Sequence, residues 1–350
     1  MLSRIVRMAG YKHIFTKYIN VLSTAIPTNL LISLTNQKLI VPVYHLISDE
    51  KVPHIDNLYQ VKKVNQFKKD LDFLLKNYNP ISYSDFEELI LKCEKPKKNS
   101  FLLTFDDGLS EFNDVIAPIL FEKGIPAINF LNSDFVDNKN LFFRYKVSLL
   151  IEEISKNESI LNEKNVQIWF SQFSKEKNYK TVLKEINFNN KHLLNDLAVL
   201  LNVDFKDYLE TKKPYLTSNE IIDLQKKGFH FGAHSVNHPE YRLIDLENQL
   251  LQTKDCLAFL EKNQLATNKI FAFPFTDYGV SKAFFENVFE KDKILDLSFG
   301  CAGLKKDFSS KHIQRIPFEA NNLTARQILN SEYIYFMLKG VLGKNKITRK

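Results

Sequence analysis

The sequence has few cysteines, and they show no spacing typical of a metal site or a disulfide framework. Only three occur among the 350 residues, Cys93, Cys256 and Cys301, and they lie far apart. Zinc-binding motifs and disulfide-rich secreted domains both use paired or regularly spaced cysteines. We therefore interpret these three as small buried residues of a protein in a reducing compartment.

A long apolar run is also missing. The N-terminus carries Arg4, Arg7, Lys12 and Lys17, and the uncharged stretch 18–37 that follows is interrupted by asparagines and by Pro27. These interruptions make it a poor membrane span and a poor signal sequence. We expect residues 1–38 to form a basic amphipathic segment that packs on the protein or, alternatively, contacts an anionic membrane surface. The expected location is cytoplasmic, with or without peripheral membrane association.

The positive charges are not clustered. Lysine and arginine number 48 against 41 acidic residues, which gives a formal net charge of +7, but the basic residues are scattered along the chain. Nucleic-acid-binding proteins concentrate such charge in a stripe or patch, so we expect no nucleic-acid partner. The sequence also contains no internal repeat. Its composition, 44% hydrophobic and 25% charged, is typical of a globular protein that forms one large domain.

From residue 39 onwards, short apolar segments alternate with amphipathic ones. "LIVPVYHL", "FLLTF" and "PAINFLN" predict buried strands, and "VNQFKKDLDFLLKNY" predicts a helix. Ser84 with Glu87, and Thr217 with Glu220, have the spacing of capping boxes that open helices. Strands that alternate with helices predict an α/β fold with parallel strands.

This alternation is interrupted once. The segment from about residue 137 to residue 215 is rich in lysine and asparagine, and its pattern predicts helices only. If the parallel strands form a barrel, we expect this segment to be a helical insertion on its rim. Strands resume with "FHFGAH", "IFAFPF", "LDLSF" and "HIQRIPF". We therefore expect a barrel over residues 39–319 and a C-terminal helix within residues 320–350.

Two pairs of polar residues follow predicted strands. Asp106 and Asp107 directly follow "FLLTF", while His234 and His238 follow "FHFGA". Taken alone, Asp-Asp-Gly is usually a strand-to-turn cap, and two histidines four residues apart are commonly not ligands. In a parallel barrel, however, the carboxyl ends of the strands line the active site. A carboxylate with two imidazoles suits Zn²⁺ or a similar ion, which would relieve the repulsion between the aspartates and leave one of them as a base.

These residues also form part of a recognisable pattern. "TFDDG" followed by "HSVNH", and then by "FAFPFTDYG", resembles the signature of the polysaccharide deacetylases related to the nodulation-factor deacetylases, carbohydrate esterase family four. "VYHLISDE", "PHIDNLYQV" and "LFFRYK" are similar to members found with bacterial surface-glycan assembly enzymes. The resemblance covers about Leu39 to Glu319.

The resemblance implies a distorted (β/α)7-type barrel with flanking helices and one divalent metal ion, zinc being the expected one. It implies that water attacks an acetyl carbonyl at the metal while the base takes its proton. The oxyanion would be stabilised by the metal and by a backbone N–H. The roles carried over are Asp106 as general base, Asp107, His234 and His238 as metal ligands, and Pro274 and Phe275 as the segment at the substrate and oxyanion.

The sequence departs from the family pattern at two positions. Many members carry an arginine that orients the base, where this chain has Ala272. Arg315 is a candidate replacement, although a surface or structural role is an alternative. A late histidine that protonates the leaving amine has no clear counterpart. His312 is a catalytic candidate with a structural alternative, and His45 and His54 could also face the cleft.

We therefore expect a metal-dependent hydrolase that removes N-acetyl groups from a sugar in a bacterial surface polysaccharide or its glycolipid precursor. An O-acetyl carbohydrate esterase with the same site is an alternative. A catalytically impaired glycan-binding barrel is the alternative from another class of protein, but a mere binder need not keep a base beside a metal ligand.

Overall fold

Parallel strands form a barrel at the centre of the molecule. The structure is a computed structural model and describes residues 23, 25–173, 178–266, 268–319 and 323–350. The strands are β1 (Leu39–Ile40), β2 (Pro42–Tyr44), β3 (Asn79–Pro80), β4 (Ser100–Phe101), β5 (Leu103–Phe105), β6 (Ala127–Leu131), β7 (His230–Ala233), β8 (Ile270–Ala272), β9 (Leu297–Gly300), β10 (His312–Gln314) and β11 (Ile316–Pro317). Eight of them form one sheet in the order β10-β9-β8-β7-β6-β5-β2-β11, with parallel pairing throughout.

One chain segment joins the two edges of this sheet. β10 pairs with β9, β11 pairs with β2, and only Arg315 separates β10 from β11. The N–H of Arg315 donates to the carbonyl of Gly300 (3.0 Å), and the next N–H, of Ile316, donates to the carbonyl of Val41 (2.9 Å). Counted as one interrupted strand, β10 and β11 close a barrel of seven strands. The predicted α/β fold of the distorted (β/α)7 type is confirmed.

A small second sheet extends two of the barrel strands. β1 runs into β2 through Val41, β4 runs into β5 through Leu102, and the sheet order is β1-β4-β3. Inside the barrel, alternate residues of these and other strands pack together, among them Val41, Leu102, Ile128, Phe130 and Phe299. The barrel is thus filled by side chains, and its open space lies at the strand ends.

Helices surround the barrel. They are α1 (Thr28–Thr35), α2 (Val64–Asn77), α3 (Tyr83–Leu91), α4 (Ala117–Glu122), α5 (Phe143–Lys156), α6 (Lys164–Ser171), α7 (Tyr179–Glu185), α8 (Leu193–Leu200), α9 (Phe205–Lys212), α10 (Ser218–Lys226), α11 (Leu246–Lys262), α12 (Lys282–Glu286) and α13 (Ala325–Val341). π-helical turns occupy Phe112–Ile116 and Asn287–Lys291, and 3-10 turns occupy Val136–Asn138, Glu158–Asn162, Phe188–Asn190 and Tyr241–Leu243.

The two predicted capping boxes had different outcomes. Thr217 and Glu220 form the reciprocal box that opens α10. The box at Ser84 was wrong, because α3 already begins at Tyr83 and its cap is Ser82, whose hydroxyl accepts the N–H of Asp85 (3.1 Å). Both serines have an acidic residue three positions later, so spacing alone did not distinguish them.

The N-terminal helix α1 packs against the C-terminal helix α13. The Thr28 hydroxyl donates to the Asn330 side chain (2.9 Å), whose amide donates to the carbonyls of Ser23 and Ile26. The basic residues on which the expected amphipathic segment rests lie outside the described residues. Within the part of the chain that the structure describes, no helix is long and apolar enough to cross a membrane.

The region between β6 and α10 carries helices α5 to α9. Their apolar faces form a second core that includes Leu150, Trp169 and Leu197. This core continues into residues that follow the barrel strands, such as Leu46 and Leu109. The helices therefore cover the strand ends at which the predicted site residues lie.

Candidate active site

Asp106 directly follows β5, and its carboxylate is held by a buried arginine. The guanidinium of Arg315 donates Nη1–H to Oδ1 (2.6 Å) and Nη2–H to Oδ2 (2.7 Å) of Asp106. Both side chains are almost fully buried. Burial alone would raise the pKa of Asp106, but the charge and hydrogen bonds of Arg315 hold this pKa below its usual value. Asp106 is thus an ionised carboxylate in a fixed orientation.

The break between β10 and β11 places Arg315 at Asp106. At this residue the chain crosses from pairing with β9 to pairing with β2, and Nε of Arg315 also donates to the carbonyl of Gly300 (3.2 Å). The position expected for an arginine holds Ala272, and the arginine that contacts Asp106 comes from the strand segment that closes the barrel. Arg315 is therefore buried against the Asp106 carboxylate and does not lie on the surface.

The backbone turns sharply after Asp106, so that the two neighbouring carboxylates point to different partners. Asp107 and Gly108 both have left-handed backbone angles, φ 74° and φ 61°. Glycine suits the backbone angle of residue 108, where an added Cβ atom would lie 2.7 Å from Cδ2 of Leu131 and would displace the end of that side chain. The turn directs Asp107 towards the histidine loop that follows β7.

Asp107, His234 and His238 come together at one point. Oδ1 of Asp107 lies 3.2 Å from Nε2 of His238 and 3.6 Å from Nε2 of His234. One potential ligand atom from each residue lies within 4.8 Å of the other two. All three residues are buried, and Oδ1 of Asp107 has no hydrogen-bond partner among the described residues. A buried acceptor without a donor, facing two imidazole nitrogens, is the arrangement that a divalent cation would satisfy.

Neighbouring groups fix the two histidines. Nδ1 of His234 lies 2.8 Å from the carbonyl of Ala272, which places its proton on Nδ1 and leaves the Nε2 lone pair for a metal. Burial lowers the pKa of His234 to about 4 despite the nearby aspartates, so this ring stays neutral as a ligand must. The Asn132 side chain binds the carbonyls of His234 and Ser235, and the Ser235 hydroxyl accepts the N–H of His238 (3.1 Å).

Helix α5 supplies a further contact to this cluster. The hydroxyl of Tyr145 donates to Oδ2 of Asp107 (3.1 Å), on the oxygen that does not face the histidines. Next to it, the ring of Phe142 packs 4.4 Å from that of His238. The "LFFRYK" segment therefore reaches from the insertion to the predicted metal ligands, which the sequence alone did not indicate.

His45 lies on the other side of Asp106. Its Nε2 is 4.0 Å from Oδ2 of Asp106, and its Nδ1 is 2.7 Å from Oε2 of Glu319. Burial favours the neutral ring, but the carboxylates of Glu319, Asp107 and Asp106 raise the pKa of His45 to about 9. The result is an imidazolium that is about one-third exposed and faces the cleft. Residue types alone could not single out His45, because its partner Glu319 lies 274 residues away.

These groups line one cleft of about 650 Å³. Asp106, Asp107, His45 and His238 form its polar floor, and Tyr59, Phe142 and Phe275 form apolar walls. Phe275 has a left-handed backbone (φ 56°), and its exposed ring packs 4.6 Å from that of His238. Pro274 directly precedes it. The volume is sufficient for one or two sugar rings.

His312 does not lie at this site, so the prediction that it is a catalytic residue was wrong. Its Nδ1 is 2.7 Å from the Ser298 hydroxyl, its Nε2 is 3.2 Å from Asp277, and its ring packs on Phe285, none of which lines the cleft. As the first residue of β10, it precedes by three residues the arginine that reaches Asp106. The structural alternative is the one that the contacts support.

Asp277, Asp307 and His312 also have the geometry of a metal-binding group. However, the Arg349 guanidinium lies between the two carboxylates and binds both. The site thus already contains a cation. His54 is likewise outside the cleft lining: its Nδ1 lies 2.8 Å from the Tyr208 hydroxyl, and burial lowers its pKa to about 3.

Comparison with known proteins identifies the class to which this fold and site belong. The family model described as polysaccharide deacetylase matches residues 94–284, which is more than half of the chain. The chain therefore belongs to the polysaccharide deacetylase family, carbohydrate esterase family four, as the resemblance indicated. No curated protein matches the sequence.

A solved structure with a TM-score above 0.5 supports the fold, and others are similar over most of this chain. A deacetylase from Streptococcus pyogenes, PplD in complex with acetate, is 15% identical and superposes with a TM-score of 0.54 over 84% of this chain and 97% of that one. IcaB from Ammonifex degensii is 13% identical, with a TM-score of 0.49 over 84% and 97%. BC0361, a polysaccharide deacetylase from Bacillus cereus, is 15% identical, with a TM-score of 0.49 over 84% and 68%.

Proposed function

We propose that this protein is a metal-dependent deacetylase that removes N-acetyl groups from a sugar of a bacterial surface polysaccharide or of its glycolipid precursor. The observation that carries the proposal is the position of Asp106. It is ionised and oriented by Arg315, and it lies between a protonated histidine and a cluster of three metal-ligand side chains. A base, an acid and a cation site in one cleft are the groups that amide hydrolysis requires.

Asp107, His234 and His238 would hold the metal ion, for which zinc is the expected identity. When bound, this ion would polarise the acetyl carbonyl and lower the pKa of water. The chain's contribution is to keep His234 neutral through burial and the Ala272 carbonyl, and to hold Asp107 through Tyr145.

Asp106 acts as the general base. It accepts a proton from the water that attacks the acetyl carbon, while the bidentate contact with Arg315 keeps its second oxygen from rotating away. The oxyanion that forms is expected to receive a hydrogen bond from the backbone N–H of Phe275.

His45 acts as the general acid. As the C–N bond breaks, Nε2–H of the imidazolium donates its proton to the sugar nitrogen, and Glu319 keeps the ring charged and oriented through Nδ1. The products are acetate and a free amine. An amide needs this proton more than an ester does, because an unprotonated amine anion is a far poorer leaving group than an alkoxide. An imidazole held by Glu319 beside Asp106 therefore suits N-deacetylation.

The N-terminal residues support a second element of the proposal. Arg4, Arg7, Lys12 and Lys17 give the start of the chain a basic character suited to an anionic membrane surface. A glycolipid precursor would be held at such a surface, so we include peripheral membrane contact in the proposed function.

Acetate release tests the proposal. The protein is stripped with a chelator, reloaded with Zn²⁺, and assayed on N-acetylglucosamine oligosaccharides and on O-acetylated xylan. The proposal predicts acetate from the N-acetylated glycan only when metal is bound. Release from xylan alone would establish the esterase alternative. Glycan binding without acetate from either substrate, in metal-loaded protein, would establish the binding barrel.

A further inference from the structure

A positively charged side chain of the insertion lines the cleft beside the proposed catalytic groups. Arg144, the second residue of α5 and part of "LFFRYK", lines the same cavity as Asp106 and His45. Its guanidinium carbon lies 5.0 Å from the centre of the Phe143 ring and 5.9 Å from that of Phe275, and Nη1 donates to the carbonyl of Lys184 (2.6 Å). The guanidinium is therefore held in place without any contact to an acid.

The acidic side chains that line the cleft have neighbours other than Arg144. Asp106 binds Arg315, Glu319 binds His45, and Asp107 faces the two histidines. The charge of Glu240 acts on the pKa of Arg144, but the Glu240 carboxylate itself pairs with Arg242.

Among the described residues, no carboxylate lies within ion-pair distance of Arg144 or of Lys184, the other lysine or arginine that lines the cavity. A half-buried arginine without a contacting counter-ion is costly, because burial lowers its pKa and the charge of Glu240 offsets this lowering only in part.

We propose that Arg144, assisted by Lys184, is a subsite for an anionic group of the glycan, a carboxylate or a phosphate linked to the acetylated sugar. This inference rests on the proposed function and narrows its substrate class. The planar guanidinium has donors left after the contact to Lys184, and its fork geometry suits the two oxygens of either anion. The charge lies on the wall of the cleft, so it binds a substituent of the substrate and takes no part in proton transfer.

Two chemical sources could supply this anion. A uronic acid in the glycan supplies a carboxylate, and a sugar phosphate of a lipid-linked precursor supplies a phosphate. Three small probes separate them: N-acetylglucosamine 1-phosphate, the disaccharide of glucuronic acid and N-acetylglucosamine, and the neutral di-N-acetylchitobiose. Each carries the acetamido group on which the proposed reaction acts.

The test compares Arg144→Gln with Lys146→Gln in metal-loaded protein. Lys146 is two residues further along α5 and binds Asn195, and it does not line the cleft, so its substitution is the matched loss of charge. Arg144→Gln should lower kcat/KM for at least one anionic probe about tenfold, since charge-assisted hydrogen bonds contribute on this scale. It should leave kcat/KM for the neutral probe unchanged. Lys184→Gln should also lower kcat/KM for the anionic probe, but by a smaller factor. The preferred probe identifies the anion.

The proposed subsite would be contradicted if Arg144→Gln lowered kcat/KM equally for all three probes or for none of them. It would also be contradicted if Lys146→Gln lowered kcat/KM by the same factor as Arg144→Gln. Affinities of the three probes, measured by calorimetry on the Asp106→Asn protein with and without Arg144→Gln, give a readout that needs no turnover. Tighter binding of an anionic probe that depends on Arg144 would support the subsite even if no probe released acetate, in which case the proposed function alone would fail.

Discussion

At the scale of single residues, the site depends on one buried ion pair. Asp106 and Arg315 are both nearly inaccessible to solvent, and each satisfies the charge of the other through two hydrogen bonds. Burying two charges costs free energy that such a pair only partly recovers, so the pair is better explained by function than by stability. Its orientation is what a general base requires, because both oxygens of Asp106 are fixed relative to the cleft.

Arg315→Met should therefore destabilise the protein mainly through the charge that it leaves unpaired. We expect a loss of about 3–5 kcal/mol in the free energy of unfolding, measured with urea. In an Asp106→Asn background the same substitution should lower the free energy of unfolding clearly less, because no buried carboxylate remains to be compensated. Equal costs in the two backgrounds would show that Arg315 acts through its packing on Phe130 and not through the ion pair.

His45 gives the site its expected pH dependence. Glu319 is the largest electrostatic contribution that raises the pKa of His45, which reaches about 9. The protonated acid is fully present below this pKa and is lost as the pH rises through it, so activity should fall on the alkaline side.

Glu319→Gln removes the charge and lowers the pKa of His45. The alkaline limb of kcat should then move to lower pH by at least about one unit. A bound divalent cation lowers the pKa of His45 in both proteins, so the difference between the two profiles is the measured quantity. Glu240→Gln, which removes an acid paired with Arg242, is the control, and it should not change the pH at which kcat falls on the alkaline side. Superimposable profiles for Glu319→Gln and the parent would exclude His45 as the acid.

At the scale of elements, the strands deliver the site residues only if the barrel interior is tightly packed. Gly232 in β7 lies two residues before His234, and a Cβ atom there would lie 2.6 Å from Ile270 and 2.8 Å from Phe130. Phe130 in turn lies beneath the Arg315 guanidinium, 5.3 Å from it. The interior packing and the orientation of the base are therefore linked.

Gly232→Ala should lower the free energy of unfolding by about 1–3 kcal/mol, the usual cost of an added methyl group in a full core. The control is Gly340→Ala in α13, where the new Cβ meets only an amide nitrogen at 3.4 Å. It should be neutral or stabilise by up to about 1 kcal/mol, because alanine is the better helix former. Urea unfolding measures both, and a Gly232→Ala protein as stable as its parent would contradict the close packing of β7 against its neighbours.

The sequence predicted the elements well where the pattern is local. The alternation of apolar strands and helices gave the α/β barrel, and Thr217 with Glu220 gave the start of α10. The structure places Asp106, Asp107, His234 and His238 at strand ends, as their positions in the sequence suggested. Strand spacing fixes which residues end a strand, and a parallel barrel brings those ends together.

What the sequence could not predict are contacts between distant parts of the chain. The position expected for the arginine that orients the base holds Ala272, and the arginine comes from a different strand, because pairing of β10 with β9 and of β11 with β2 brings Arg315 across the barrel. His45 gains its charge from a glutamate at the far end of the barrel domain. His312, three residues before Arg315, was a catalytic candidate with a structural alternative, and its contacts with Ser298 and Asp277 support the structural one.

At the scale of the whole molecule, the barrel and the helical region between β6 and β7 build one site. The barrel supplies the proposed base, the proposed acid and the predicted ligands, and α5 supplies Tyr145 to Asp107 and Arg144 to the cleft wall. The two regions also share an apolar core around Leu46 and Leu109. Because residues 137–215 share this core with the barrel, we propose that they determine substrate choice as part of the active site.

The most direct test of the central claim, that Asp106 is a base beside a metal held by Asp107, His234 and His238, is Asp106→Asn with metal content and acetate release measured on the same sample. The amide is nearly isosteric but cannot accept the proton of the attacking water. We predict about one equivalent of metal, as in the parent, and turnover reduced about a hundredfold or more. His234→Ala, the matched loss of a ligand, should lose metal and activity together. Activity of Asp106→Asn that falls only in proportion to its metal, or that does not fall, would contradict the account.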